Sequence, residues 1–158
     1  MGSVRQDYIL RQIDLLRQFV KRVVQRRPDP ELDEALLLAL HLQEKLLPVP
    51  PAEFLRLDLP GQIARLRRDE SRAAGNDRCA AYADLLAETA RLYEHKGEAE
   101  FAAGARQMAL FAALSVLRDD PARVEIEALA RDLRDQLDPA TLLPPVVELL
   151  AAGPGPVG

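Results

Sequence analysis

Hydrophobic residues recur along most of the chain at the three- and four-residue spacing of amphipathic helices. This spacing predicts five long helices, over about 5–27, 31–47, 79–96, 98–118 and 121–137. Residues 53–69 predict one or two further short helices, with Pro60 near a start, and residues 146–152 predict a last short turn. No alternating run of β-branched residues stands beside a hairpin turn. The pattern therefore indicates an all-α fold, a compact helical bundle.

Proline and glycine divide the helical segments. Proline suits the first turn of a helix, and an aspartate before it can accept hydrogen bonds from the free backbone N–H groups. Three helix starts are predicted on this basis, at Pro28-Asp29-Pro30, Asp120-Pro121 and Asp138-Pro139. The prolines from Pro48 to Pro51 break the chain, and Gly75-Asn76-Asp77 is predicted to be a loop.

Residues 79–118 predict a helical hairpin. Gly97 stands where the first helix must end, because glycine adopts the left-handed conformation without a Cβ clash. The second helix carries Ala102, Ala105 and Ala109, which are small enough to let the two backbones approach closely. Within it, the segment 108–117 is apolar on nearly every side, so we expect it to be the central buried helix.

Length and composition indicate one domain. The chain has 158 residues, of which 48% are hydrophobic and only 4% aromatic, with no tryptophan. A single core built from Leu, Ala, Val and Ile is expected over residues 1–152, with 153–158 as a flexible Gly- and Pro-rich tail.

Cysteine content and hydropathy bear on location. Cys79 is the only cysteine and cannot form an internal disulfide, so a reducing cytoplasm is expected. Apolar runs such as residues 35–40 are far shorter than the roughly 18 residues expected of a membrane span, and no secretory signal is recognisable. The sequence predicts a cytoplasmic protein with no membrane association.

The hairpin resembles a tetratricopeptide repeat. With Tyr93 on the motif tyrosine, Leu86 falls at the tryptophan position, Ala90 at the small glycine position and Ala102 at the packing alanine. Three positions depart from the motif, namely Thr89, Arg106 and Leu114. The copy is therefore a single degenerate one.

A broader resemblance begins with Gln6-Asp7-Tyr8-Ile9-Leu10-Arg11-Gln12-Ile13. This motif, the order of helices to about residue 137 and the hairpin look like an uncharacterised bacterial family of short all-α, tetratricopeptide-like proteins that open with Q-D-Y-(I/L)-x-R-Q-I. The resemblance implies the fold and a bacterial origin, and it carries over no functional residues.

The residues that could support catalysis or metal binding do not form a recognisable motif. His41 and His95 have carboxylates nearby, but there is no H-E-x-x-H and no cysteine cluster. Ser115 lies in an almost wholly apolar segment, and Cys79 has no histidine close in sequence. We therefore predict a protein that is not an enzyme, with no catalytic residues, no metal and no cofactor.

One helix face is a candidate partner-binding surface. Asp84, Glu88, Arg91 and His95 form one polar stripe on the first hairpin helix. The resemblance places Asp84, Ala87, Arg91, Glu94 and His95 on the surface that contacts a peptide. The leading hypothesis is a non-enzymatic protein–protein interaction or scaffolding module, with a plain solvated stripe as the alternative explanation. The predicted binding residues are Asp84, Arg91, Glu94 and His95.

Basic residues support a second hypothesis. Residues 1–27 carry an excess of positive charge, although the whole chain has a net charge of −4. A regulatory or nucleic-acid-associated protein could use such charges on phosphates. The acidic balance and the lack of interleaved aromatics disfavour nucleic acid. The basic positions are Arg17, Lys21, Arg22, Arg26 and Arg27 in the first helix and Arg65, Arg67, Arg68, Arg72 and Arg78 in the middle linker.

The first helix also predicts self-association. Its apolar residues keep the 4-3-4-3 spacing of a two-helix coiled coil, which would join two copies as a homodimer. The same residues could instead pack on the next helix and on the hairpin within one chain. The seam consists of Ile9, Ile13, Leu16, Val20 and Val23.

Overall fold

A computed structural model describes residues 3–24 and 31–153, with the side chains of residues 10–21 and 31–153. This part of the chain is helical without a strand, so the all-α class is confirmed. Eight α-helices lie along it in a compact packing. They are α1 Ser3–Val24, α2 Leu32–Leu46, α3 Pro51–Phe54, α4 Leu59–Arg67, α5 Arg72–Lys96, α6 Ala99–Asp119, α7 Val124–Asp135 and α8 Pro144–Ala152, with a 3₁₀-helix Pro139–Thr141 before α8.

The centre of the fold is the antiparallel hairpin of α5 and α6. Asn76 donates to Asp119 at 3.1 Å at the open end, and Arg106 contacts Glu94 at 2.8 Å near the turn. Gly97 ends α5 with φ +90°. Its N–H donates to the Glu94 carbonyl at 3.0 Å, and the N–H of Glu98 donates to the Tyr93 carbonyl at 2.8 Å. The predicted hairpin and its glycine turn are confirmed.

Two glycines of the hairpin provide a matched pair of substitutions. A Cβ at Gly97 or at Gly104 would meet no atom within 4 Å, so only backbone conformation decides the effect. Gly97→Ala forces a left-handed alanine and should cost about 1 kcal/mol of unfolding free energy. Gly104→Ala lies inside α6 and should stabilise by about 0.5–1 kcal/mol. Urea denaturation measures both, and effects of the same sign would contradict the assigned turn.

The predicted loop Gly75-Asn76-Asp77 is wrong, because α5 already begins at Arg72. The Ser71 side chain caps the helix by accepting from the Ala74 N–H at 3.1 Å. Gly75 lies so close to α4 that a Cβ there would approach Arg67 Cγ to 3.1 Å. Asn76 is buried between Arg67 and Asp119. Tertiary contacts therefore extend the helix through loop-forming residues, and the hairpin spans 72–119 instead of 79–118.

The predicted helix starts have different outcomes. The Asp138 side chain accepts from the Ala140 N–H at the start of the 3₁₀-helix, as expected. The prediction at Asp120-Pro121 is wrong by three residues, because α7 begins at Val124. Asp120 still belongs to the end of α6, where its N–H donates to the Val116 carbonyl at 2.8 Å, so the chain must turn before it restarts. Pro28-Asp29-Pro30 lies outside the described residues.

One hydrophobic core joins the helices. The predicted central segment of α6 is confirmed, since Ala109, Leu110, Ala112, Ala113 and Val116 have no exposed surface. Helices α1, α2 and α4 pack on α5, while α7 and α8 pack on α6. The core runs from Ile13 in α1 to Val146 in α8. In the described chain, no helix is both long enough and apolar enough to cross a membrane.

Candidate functional site

Helix α1 covers one half of the predicted partner stripe on α5 and leaves the other half at the surface. Arg17 of α1 contacts the Asp84 carboxylate at 3.0 Å and the Glu88 carboxylate at 3.4 Å. Glu88 is buried, although the stripe was expected to face solvent. It is covered because α1 packs along this part of α5. The amino-terminal half of the stripe is thus part of an internal contact.

Burial dominates the electrostatics of this contact. Loss of solvent raises the pKa of the Asp84 carboxyl, and the charge of Arg17 opposes that shift. Burial likewise raises the pKa of Glu88, against the charges of Arg91 and Arg17. Arg91 lies 3.4 Å from Glu88. Two cations therefore hold two carboxylates in an environment that disfavours their ionised forms.

These shifts set the sign of one pH dependence. A raised folded-state pKa means that the folded chain binds more protons than the unfolded chain as the pH falls from 7 toward 5. The contribution of Glu88 to stability therefore increases as the pH falls. The glutamine in Glu88→Gln is uncharged at every pH. We therefore expect the unfolding free energy of the parent minus that of the variant to be larger at pH 5 than at pH 7.

Urea denaturation of both proteins at the two pH values measures this difference. Glu34→Gln, at an exposed position of α2, controls for the loss of one negative charge. A difference for Glu88→Gln that stays constant, or that is smaller at pH 5 than at pH 7, would exclude the proposed burial effect.

The carboxyl-terminal half of the stripe remains at the surface. Glu94 is exposed and receives two contacts from the buried guanidinium of Arg106, at 2.8 and 3.4 Å. Arg91 is half-buried beside Glu88, and His95 is half-buried with contacts of its own. Of the four predicted binding residues, Asp84 therefore contacts α1, while Arg91, Glu94 and His95 lie toward the hairpin turn.

An exposed aromatic residue lies at that turn and was missed by the sequence analysis. The rings of Phe101 and Tyr93 are 5.5 Å apart across the hairpin, and Phe101 is 63% exposed. Glu98 and Glu100 flank it, are exposed and make no ion pair with residues that the structure describes. We call these residues, with Glu94, the hairpin tip. The available signal was an aromatic residue on each side of Gly97, four residues away in both directions.

The part of the predicted self-association seam whose side chains the structure describes lies inside the chain. Ile13 is 1% exposed, and Leu16 and Val20 have no exposed surface. They belong to the same core cluster as the apolar residues of α2 and α5. The side chains of Ile9 and Val23 lie outside the described residues. The seam residues that can be placed therefore fill the core of one copy, which was the alternative explanation of the pattern.

Several basic residues have internal partners. Arg67 donates to Asn76 and to the Ser115 carbonyl, Arg72 pairs with Asp119 and Arg78 pairs with Glu70. Arg17 pairs with α5 as described above. Arg26 and Arg27 lie outside the described residues, as does the side chain of Arg22. Much of the basic charge assigned to a phosphate-binding surface thus stabilises helix contacts.

The candidate nucleophiles are placed within the core or near it. Cys79 has no exposed surface, and burial raises the pKa of its thiol. Ser115 donates to the Phe111 carbonyl at 2.8 Å. His41 is exposed on α2. Among the side chains that the structure describes, no three of His, Cys, Asp or Glu converge as a metal site.

Comparisons with known proteins identify no relative of this chain. Searches against protein-family models, curated proteins and solved structures each find no match. The tetratricopeptide and bacterial-family resemblances therefore remain hypotheses carried by the residues quoted above.

Proposed function

We propose that this chain is a non-enzymatic, tetratricopeptide-like interaction module of the cytoplasm that binds a partner protein at the hairpin tip. The observation that carries the proposal is the exposure of Phe101. The chain has only four phenylalanines and three tyrosines, and Phe101 is 63% exposed although burial of its ring would be favourable. Exposed aromatic residues are typical anchors of protein interfaces.

The tip is also rigid enough to serve as an anchor. Phe101 rests on Tyr93, and the turn between them is fixed by two backbone hydrogen bonds at Gly97 and Glu98. A side chain that is already held in place loses little conformational entropy when it binds. The tip therefore offers a pre-organised apolar contact surrounded by charged groups.

Charge at the tip indicates the chemistry of the partner. Glu98 and Glu100 lie beside Phe101 without a basic partner among the described residues, and Glu94 remains exposed next to Arg106. Complementary charge steers association and suppresses wrong partners. The partner segment is therefore expected to combine an apolar side chain with lysine or arginine.

Affinity capture with matched variants tests this function. The parent, Phe101→Ser and Val124→Ser are used as baits in extracts of the native cells, with and without nuclease. Val124 is 73% exposed on α7. Val124→Ser therefore removes exposed apolar surface at a position away from the tip. A protein retained by the parent and by Val124→Ser, lost with Phe101→Ser and resistant to nuclease supports the proposal. Equal capture by all three baits contradicts the assigned surface, and loss of every partner on nuclease treatment would favour the nucleic-acid hypothesis.

A further inference from the structure

A cleft of about 530 Å³ lies on the side of the fold opposite the hairpin turn. Helix α4, the start of α5, the end of α6 and α8 form its walls. It is lined by three arginines and one aspartate, which gives it a net charge of +2 in a chain whose overall charge is −4. The polar lining residues are Arg67, Arg72, Arg118, Asp119 and Ser115.

Two of the arginines are fixed by the end of α6. Arg67 donates through Nη2 to Asn76 at 2.8 Å and to the Ser115 carbonyl at 3.1 Å. Arg72 donates to the Asp119 carboxylate through Nε at 2.9 Å and through Nη2 at 3.1 Å. These contacts cap the carbonyl end of α6 and hold both guanidinium groups at the cleft wall. Both groups lie where a helix end needs positive charge, so this part of the cluster is structural.

Basic donors remain after that structural role is filled. Arg118 is exposed and makes no hydrogen bond or ion pair with the part of the chain that the structure describes. The Arg72 side chain is 75% exposed, and its Nη1 group is not used in the contacts with Asp119. A guanidinium has five N–H donors in a fork that matches carboxylate and phosphate oxygens. The cleft therefore carries positive charge beyond that which contacts the end of α6.

The rest of the lining is apolar. Ile63 and Phe111 are nearly buried at the cleft, and Leu149 of α8 is half-buried beside it. Pro60 and Ala64 complete the apolar side. An apolar wall beside a few polar groups is the usual composition of a small-molecule site, in which the polar groups fix orientation.

We propose that this cleft binds an amphipathic organic anion, a carboxylate or phosphate head on a short apolar chain. The head contacts Arg118 and the exposed guanidinium of Arg72. The chain lies along Ile63, Phe111 and Leu149. This site is separate from the hairpin tip, because it lies at the open end of the α5–α6 hairpin. Its occupancy and the proposed partner binding can therefore be tested independently.

Titration by nuclear magnetic resonance tests the inference with defined probes. Hexanoate and hexyl phosphate distinguish the two anionic heads, 1-hexanol lacks the charge, and acetate and inorganic phosphate lack the apolar chain. We expect saturable shifts of the Ile63 and Leu149 methyl signals with at least one hexyl anion. The dissociation constant should be on the order of tenfold or more lower than for hexanol or for the headgroup alone. Equal affinity for hexanol, or for the free headgroup, would overturn the proposal.

Three variants locate the site. Arg118→Gln should raise the dissociation constant of the preferred hexyl anion by about tenfold, since a charged hydrogen-bond partner is lost. Ala64→Glu, at an exposed position of the lining, should abolish saturable binding by placing a carboxylate in the cleft. Arg56→Gln removes the same charge at an exposed position outside the lining and should bind like the parent. Unchanged affinity in Arg118→Gln or in Ala64→Glu would contradict the assigned cleft.

Discussion

Ala112→Asp should destabilise the fold by about 3–5 kcal/mol, the cost of leaving an uncompensated charge in a protein interior. Ala112 has no exposed surface and lies in the segment of α6 that contributes most of its residues to the core. The carboxylate would have to be buried without a cation or to open the contacts of α6 with its neighbours. Urea denaturation followed by far-ultraviolet circular dichroism measures the loss.

Ala103→Asp is the matched control for this prediction. It introduces the same side chain on the same helix at an exposed position, where surface substitutions change stability by roughly 0.5 kcal/mol or less. If the two variants unfold at the same denaturant concentration, α6 is not the central buried helix.

Ile13→Glu is expected to have the second large effect, a loss of about 3 kcal/mol or more, because it removes a buried aliphatic side chain and adds a buried charge. Ile13 is 1% exposed, whereas Leu15, two residues away on α1, is 55% exposed. Leu15→Glu should leave stability nearly unchanged. Urea denaturation of the two variants, with hydrogen exchange of the α1 amides, provides the comparison. Equal stability of both variants would show that α1 does not pack through Ile13.

The same helix carries the predicted homodimer. Light scattering behind size exclusion at micromolar concentration should give twice the chain mass of 17.5 kDa if two copies pair through α1. With Ile13, Leu16 and Val20 in the core, a dimer through this seam would require α1 to leave its own chain. A parent protein measured at 17.5 kDa across that range would end the homodimer hypothesis.

The helical periodicity and the glycine turn could be predicted because both are local. Each depends on residues within one or two turns, such as the left-handed Gly97 between two apolar helical patterns. The early start of α5 could not be predicted, because Gly75 and Asn76 are poor helix formers on their own. They are helical through contacts with Arg67 and Asp119, which lie far away in sequence.

The candidate site could be predicted only in part, because it depends on contacts between helices that are distant in sequence. Spacing on α5 correctly grouped residues on one helix face, but it carried no information on which neighbouring helix would cover that face. Arg17 covers Asp84 and Glu88 from a helix that begins almost 70 residues earlier. Phe101 was missed because an isolated phenylalanine in a helix is expected to face the core, and only the packing shows that it does not.

Site-specific photo-cross-linking tests the proposed binding surface most directly. A photoreactive phenylalanine analogue is placed at position 101, and in a second protein at position 124, and each is irradiated in the native cells. We expect a discrete cross-linked species with another protein from position 101 and none from position 124, since only the hairpin tip is assigned to a partner. The same products from both positions, or no product from position 101 when the protein is present at its natural level, would contradict it.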